Sequence, residues 1–389
     1  MLQIQKILAL LWQTKIKERK AYHYLQLSGL LELKEFFKIE STLNKQKKLE
    51  KKIEQKLKLK KVFITGSGNH AFELALKLLA LKKTDEIILP VFTCKKLGQI
   101  IEKYCKPVFV DVTKNITVNP KEIQKKINKN TKAVIAIHLY GQACEIQKIK
   151  EICAKNKIIL IEDCAHSLGL KIKNKNAGNF GDLSIFSFRK STNLANGGFI
   201  CINNAKFENK IKKLNENKSN FDLIKNLFGL KVLICKIIFG NSIKMPFLVY
   251  SSLGFKGNLI NDKKLSRIEL SIALIEIEKI KNQIQKRITC AKYLKNKLKE
   301  KILWTEKSNS SLMRLPVLLK ESSQKNWNLF YEQGFEVGSW YYTDFLVNCK
   351  NKQKNFPVAS KLANKIMPIG LDGLKKSDLN ELIELIKKN

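Results

Sequence analysis

Ile158-Ile159-Leu160-Ile161-Glu162-Asp163-Cys164-Ala165-His166-Ser167 is an apolar run that stops on two carboxylates and a turn. A run of this length reads as a strand buried on both faces. It delivers a carboxylate at its C-terminal end, where open α/β sheets bind ligands. Aspartate also favours ordinary turns, so this end alone carries little information. Six further short runs surround it: Val62–Thr65, Glu86–Leu89, Pro107–Val110, Ala133–His138, Leu183–Ser187 and Gly198–Ile202. Helical periods such as Ala71–Leu81 and Glu145–Lys155 lie between them. The alternation gives an α/β domain with a largely parallel sheet.

Two more strand ends carry chemistry. Downstream, Gly178-Asn179-Phe180-Gly181-Asp182 leads into Leu183–Ser187, then Phe188-Arg189-Lys190 and the pair Gly197-Gly198. Upstream, Thr65-Gly66-Ser67-Gly68-Asn69-His70-Ala71 is a strand end, a glycine-rich turn and a helix start, which presents N–H groups to a phosphate. An amine, a carboxylate and a phosphate cradle, each at a strand end, are what pyridoxal 5′-phosphate requires of a protein. Each piece alone is commonplace; the three in this order are specific.

Composition narrows the classes. The chain has 389 residues, enough for a large domain and a smaller companion, and 44% of them are hydrophobic. Its formal net charge is +39, yet only five residues are arginine: Arg19, Arg189, Arg267, Arg287 and Arg314. Nucleic-acid readers lean on arginine for bidentate contacts, so a lysine-rich solvated surface is the better reading and no specific nucleic-acid partner is expected. Nine cysteines without a CxxC pair fit reduced thiols in a cytoplasmic protein, with no metal site. No apolar run is long enough to span a membrane. Leu223–Phe239 mixes apolar residues with lysines; it reads as a buried or dimer-covering helix and leaves peripheral contact with an anionic membrane open. Residues 1–48 read as a helical extension, 49–255 as the large domain and 256–389 as a smaller α+β domain. A lysine-rich helix over Lys45–Lys60 buries Leu49, Ile53 and Leu57, a long helix runs from Leu265 to about Lys299, and a last one starts at Lys376.

The chain resembles the DegT/DnrJ/StrS family of sugar aminotransferases, of pyridoxal-phosphate fold type I, from about Leu49 to its C-terminus. The resemblance is carried by Gly66-Ser67-Gly68, Glu86–Pro90, Pro107–Val112, Thr131–Gly141 with His138-Leu139-Tyr140-Gly141, Ile161–Ser167, Gly181-Asp182 and Phe186-Ser187-Phe188. It implies a large domain with a seven-stranded, mostly parallel sheet, a smaller C-terminal α+β domain and a homodimer. It also implies transamination from an amino donor, glutamate by analogy, to a nucleotide-linked keto-sugar, in amino-sugar or surface-polysaccharide biosynthesis. By the same resemblance Asp163 pairs with the pyridine nitrogen and His166 lies near the phenolic oxygen. Ser187, Gly68 and the backbone of Asn69 and His70 hold the phosphate, and Lys190 bonds the cofactor and moves the proton.

Three departures accompany the resemblance. Counted without a gap from Phe188, the usual lysine position is Thr192; counted back from Gly197-Gly198, it is Lys190. The usual aromatic over the ring is Cys94, with Phe92 two residues away, and Asn261–Lys264 replaces an asparagine-and-arginine pair that would reach the partner subunit. A sugar dehydratase and an inactive binding or regulatory homologue are the alternatives. His138 and Tyr140 read as packing beneath the cofactor, and Trp340-Tyr341-Tyr342 as core or as a stacking surface for substrate.

Overall fold

The computed structural model describes residues 42–192, 194, 196–215, 264–304, 310–338, 341–350 and 352–389. Residues 1–41, Leu223–Phe239, 261–263 and Trp340 lie outside them, as do the side chains of Tyr341 and Tyr342.

Nine strands occupy the first half of the chain: β1 (Lys61–Thr65), β2 (Glu86–Pro90), β3 (Lys106–Val110), β4 (Thr131–Ile137), β5 (Ile159–Asp163), β6 (Lys171–Ile172), β7 (Lys175–Asn176), β8 (Leu183–Ser187) and β9 (Gly198–Ile202). Seven form one sheet in the order β1-β9-β8-β5-β4-β2-β3, while β6 and β7 pair by themselves. Every pairing from β8 through β5, β4 and β2 to β3 is parallel. Only β9 runs against its neighbours β1 and β8. The expected mostly parallel sheet is therefore present, and β1, β5 and β8 all end at the same edge.

The helices begin with α1 (Thr42–Leu57), α2 (Gly68–Leu79), α3 (Lys95–Glu102), α4 (Pro120–Lys126), α5 (Ile146–Lys155), α6 (Phe188–Ser191) and α7 (Glu208–Asn215). α2 starts where Ser67 caps it, its side chain accepting from His70 N–H. α1 buries Leu49, Ile53 and Leu57, the stripe read from the sequence, and runs without a break across residue 48. It lies along β1, the edge of the sheet. Val62 N–H donates to Glu54 Oε1 at 2.9 Å and Ile64 N–H to Glu50 Oε1 at 3.0 Å. Carboxylates four apart on the helix thus satisfy N–H groups two apart on the strand.

The second half contains α8 (Arg267–Leu298), α9 (Ser323–Glu332), α10 (Tyr341–Cys349), α11 (Pro357–Ala363) and α12 (Lys376–Lys388), with the antiparallel pair β10 (Leu315–Leu318) and β11 (Ile366–Ile369). A capping box between Ser266 and Glu269 starts α8. Its first half, from Leu270 to Ile280, packs with α1, β1 and β9; its second half, Ala291, Leu294 and Leu298, packs with β10, β11 and α12. One helix thus belongs to both cores.

Candidate active site

Asp163 is the last residue of β5. Register places it beside Ile137 of β4 and Ile185 of β8, two residues before Ser187. It is only 4% exposed, and its carboxylate accepts from Ala165 N–H at 2.9 Å. Burial raises its proton affinity to about 6, against the opposing pull of that N–H and of His138 and Lys190. A carboxylate held this way retains its charge once a cation faces it.

Glu162 points the other way. Burial favours its neutral form, but His138 Nε2 lies 2.9 Å from Oε1, and the backbone N–H groups of Gly178, Phe180 and Gly181 donate to it at 2.7, 2.9 and 3.1 Å. The outcome is a carboxyl held below its ordinary range. Cys144 N–H donates to His138 Nδ1 at 3.2 Å, so that ring carries its proton on Nε2, toward Glu162. His138, Glu162 and Cys164 stand close enough to suggest a metal cluster. Glu162 is already saturated by these donors, and the group is structural.

At the end of β8, Ser187 meets the start of α2. A Cβ on Gly68 would lie 2.9 Å from Ser187 Cβ and 3.3 Å from its hydroxyl oxygen, so only glycine allows this approach. The start of α2, with the helix dipole behind it, therefore stands beside the Ser187 hydroxyl. His70 N–H, expected to serve here too, is committed to Ser67 Oγ at 3.1 Å. The Ser187 hydroxyl and the N-terminal end of α2 together fit a phosphate.

Lys190 lies in α6, one turn beyond Ser187. Burial, then the charges of Arg189 and Arg314, lower its proton affinity to about 7. Thr192, the position given by a gap-free count, spends its hydroxyl on Phe188 O at 2.8 Å and caps the turn. The short loop therefore puts the lysine, not the threonine, in electrostatic contact with Asp163, His166 and Cys94. His166 Nδ1 accepts from Tyr140 N–H at 3.2 Å, which leaves its proton on Nε2. Burial and the charges of Lys190, Arg314 and Arg189 keep that ring neutral. Tyr140 stacks on it at 6.1 Å with φ 55°, a left-handed conformation uncommon for tyrosine. Cys94 is exposed at the N-terminus of α3. Phe92 cannot replace the missing aromatic, because it is 1% exposed and packs in the core with Phe72.

Sequence reasoning missed three groups contributed by the second half of the chain. Arg314 is buried and donates through Nη2 to Glu336 Oε1 at 2.6 Å. Asp344 of α10 lies 3.8 Å from Lys95 and faces Cys94. Asn348 of α10 holds the Val91 and Thr93 carbonyls at 3.0 and 2.9 Å. No local pattern marks these residues: Asp344 and Asn348 find their partners more than 200 residues upstream, and Arg314 finds its own in a separate turn of the second half.

An acid, a lysine of lowered proton affinity, a neutral histidine and a phosphate cradle thus converge at one edge of the sheet. The set fits pyridoxal 5′-phosphate: anion donors at one end, a buried carboxylate for a protonated ring nitrogen, and an amine for its carbonyl carbon.

The model of the DegT/DnrJ/EryC1/StrS aminotransferase family matches residues 37–387. Among curated proteins, the chain is 38% identical over 151 residues to GDP-perosamine synthase of Vibrio cholerae, covering 38% of this chain and 41% of that one. It is 35% identical over 159 residues to a UDP-N-acetyl-3-dehydro-alpha-D-glucosamine 3-aminotransferase of Acidithiobacillus ferrooxidans, covering 40% and 43%. The chain spans about two-fifths of the length of these curated relatives. Among solved structures, a DegT DnrJ EryC1 StrS aminotransferase from Brucella abortus superposes with a TM-score of 0.71 at 18% identity, over 92% of each chain. DesV of S. venezuelae gives 0.74 at 15% identity, over 95% of each. These likenesses show the fold.

Proposed function

The chain belongs to the DegT/DnrJ/EryC1/StrS aminotransferase family, and we propose that it is a pyridoxal-phosphate-dependent aminotransferase acting on a nucleotide-linked keto-sugar, with glutamate as amino donor. The convergence of Lys190 with Asp163 and Ser187 carries the reading. The names of the curated relatives, a GDP-sugar enzyme and a UDP-sugar enzyme, support a nucleotide-sugar substrate. The same membership supports a homodimer, and the lack of paired cysteines among the described residues supports a cytoplasmic setting.

When bound, the cofactor supplies an electron sink that stabilises negative charge on the carbon losing or gaining the amino group. The chain's own residues do the rest. Asp163 keeps the ring nitrogen protonated, and its high proton affinity when alone is reversed by that cation. The hydroxyl of Ser187 and the N–H groups at the start of α2 fix the phosphate, and with it the ring's position. His166 presents Nε2–H toward an oxygen acceptor while Tyr140 holds Nδ1. Lys190, neutral for a large part of the time near pH 7, would accept the proton from the donor's Cα and hand it over on the same face that it came from.

A dehydratase reading calls for histidine at the lysine position, and Lys190 is there instead. The test is chemical trapping: borohydride reduction of the cofactor-loaded protein, followed by peptide mass mapping. The cofactor mass on Lys190 is the expected result. A mass on another lysine, or none, contradicts the assignment.

A further inference from the structure

This inference rests on the cofactor reading and concerns the wall of the site that follows β2. Strands β2, β4, β5 and β8 run parallel, so the loop after Pro90 leaves the sheet at the edge where Asp163 and Ser187 end their strands. In that loop Val91, Phe92 and Thr93 are buried, while Cys94 opens to solvent. The charge of Lys190 acts on Cys94, which puts the thiol on the Lys190 side of the site.

Little within the loop fixes that position. Thr93 N–H donates to Val91 O at 3.0 Å, and Cys94, the N-cap of α3, makes no side-chain capping bond. The remaining contacts come from α10, in the second half of the chain. The buried Asn348 amide donates to Val91 O at 3.0 Å and to Thr93 O at 2.9 Å. One planar group thus satisfies the carbonyls on either side of Phe92. α3 closes on the same residue, since a Cβ on Gly98 would lie 2.9 Å from Phe109 Cζ and 3.6 Å from Asn348 Oδ1. One turn earlier on α10, the buried Asp344 lies 3.8 Å from the Lys95 ammonium. Burial raises its proton affinity; the Lys95 N–H and ammonium, the Cys94 thiol and the charge of Lys190 pull the other way. A carboxylate at the first turn of α3 also has the helix dipole in its favour. Desolvation, with the Asp344 charge behind it, holds the Cys94 thiol above its ordinary range, against the Lys96 N–H, Lys190 and Arg189.

We propose that Asn348 and Asp344, one turn apart on α10, are positioning residues that hold Cys94 as the wall of the cofactor site facing Lys190. Asn348 sets the path of the loop, and Asp344 keeps the thiol in its neutral form. Cofactor affinity then depends on two residues that act only through this loop.

The experiment follows alkylation of Cys94 by iodoacetamide at pH 8, read by peptide mass, with and without pyridoxal 5′-phosphate. It compares wild type, Asn348→Ala, Asn348→Ser, Asp344→Asn and a control, Ile386→Val, which opens a small gap among the apolar side chains of α12, away from the loop. Absorbance titration gives the cofactor affinity of each protein. In wild type the cofactor slows Cys94 alkylation at least about tenfold. Asn348→Ala raises the cofactor dissociation constant at least about tenfold and cuts the protection below about threefold. Asn348→Ser, which can still donate to one carbonyl, recovers part of the loss, and Ile386→Val changes neither quantity by more than about twofold. Asp344→Asn keeps the shape and removes the charge, so the thiolate forms more readily and the cofactor-free protein alkylates at least about three times faster. Affinity and protection unchanged in Asn348→Ala overturn the proposal, as do an equal loss in Ile386→Val and an unchanged rate in Asp344→Asn. A wild type whose Lys190 takes the borohydride label while the cofactor leaves Cys94 unprotected overturns it too. A wild type with no label at Lys190 overturns the cofactor reading, and the proposal with it, and the label tells the two failures apart.

Discussion

Asp163 and Lys190 depart from their ordinary proton affinities in opposite directions, and both departures favour neutral groups in the cofactor-free site. Asp163 is raised to about 6, so in the range between an ordinary aspartate and that value the folded protein holds a proton that the unfolded chain has released. Its contribution to stability therefore falls as pH rises through about 6, and above that the buried charge costs roughly 2–3 kcal/mol. Asp163→Asn should raise the unfolding free energy of the cofactor-free protein at pH 8 by about 1–3 kcal/mol and lose the gain below about pH 4, while turnover falls at least about 100-fold. Urea unfolding at the two pH values checks this; a destabilised variant at pH 8 would count against it. Lys190 is lowered to about 7, so between about 7 and the ordinary lysine range the folded state holds fewer protons, and stability drops as pH falls through that window. The neutral amine is also the form that captures the cofactor. Its rate of uptake by the cofactor-free protein should rise with pH to a plateau above about 7, and a flat profile from pH 6 to 9 would show that Lys190 is not the capturing group.

At the scale of elements, α1 is more than a cover for apolar side chains. Its Glu50 and Glu54 terminate the open edge of the sheet by accepting from Ile64 and Val62 of β1, an edge that would otherwise pair with another chain. Replacing both by alanine should cost about 1–3 kcal/mol per orphaned N–H and produce concentration-dependent association, read by light scattering. A variant that stays at wild-type stability and size would remove the edge-capping role. The apolar stripe of α1 was legible from Leu49, Ile53 and Leu57, because spacing within one helix encodes its buried face. The role of the two glutamates was not, because it depends on a strand packed alongside. Sequence reasoning found all seven sheet strands with ends within two residues, since each is an apolar run closed by turn residues. It did not give the antiparallel sense of β9, which short strands do not reveal by periodicity. In the site, Asp163, Ser187 and Lys190 were readable because each sits at a strand end with its own local signature. Arg314, Glu336 and Asp344 were not, since only tertiary packing brings them there.

For the molecule as a whole, the two cores are joined by α8, which contributes to both. The expected division at residue 255 assigned that helix to one side only. From the residue before β10, the turn after α9 and α10 itself, the second core brings the charges of Arg314, Glu336 and Asp344 to the edge of the sheet where Asp163 and Lys190 lie, so the proposed chemistry depends on both cores being in register. The net charge of +39 raises the local concentration of anions, the proposed sugar nucleotide included. Apparent kcat/KM for the keto-sugar nucleotide should fall severalfold between about 0.05 and 0.3 M salt, while kcat changes little; insensitivity to salt would mean that the charge has no bearing on capture. The central claim is that Lys190, Asp163 and the phosphate cradle form a working transamination site. The visible absorption spectrum of the purified, cofactor-loaded protein, recorded before and after adding glutamate, tests it most directly. A visible band that requires Lys190 and bleaches to the pyridoxamine form with glutamate is the predicted result. A protein that forms no such band with pyridoxal 5′-phosphate, or forms it equally well as Lys190→Ala, contradicts the account.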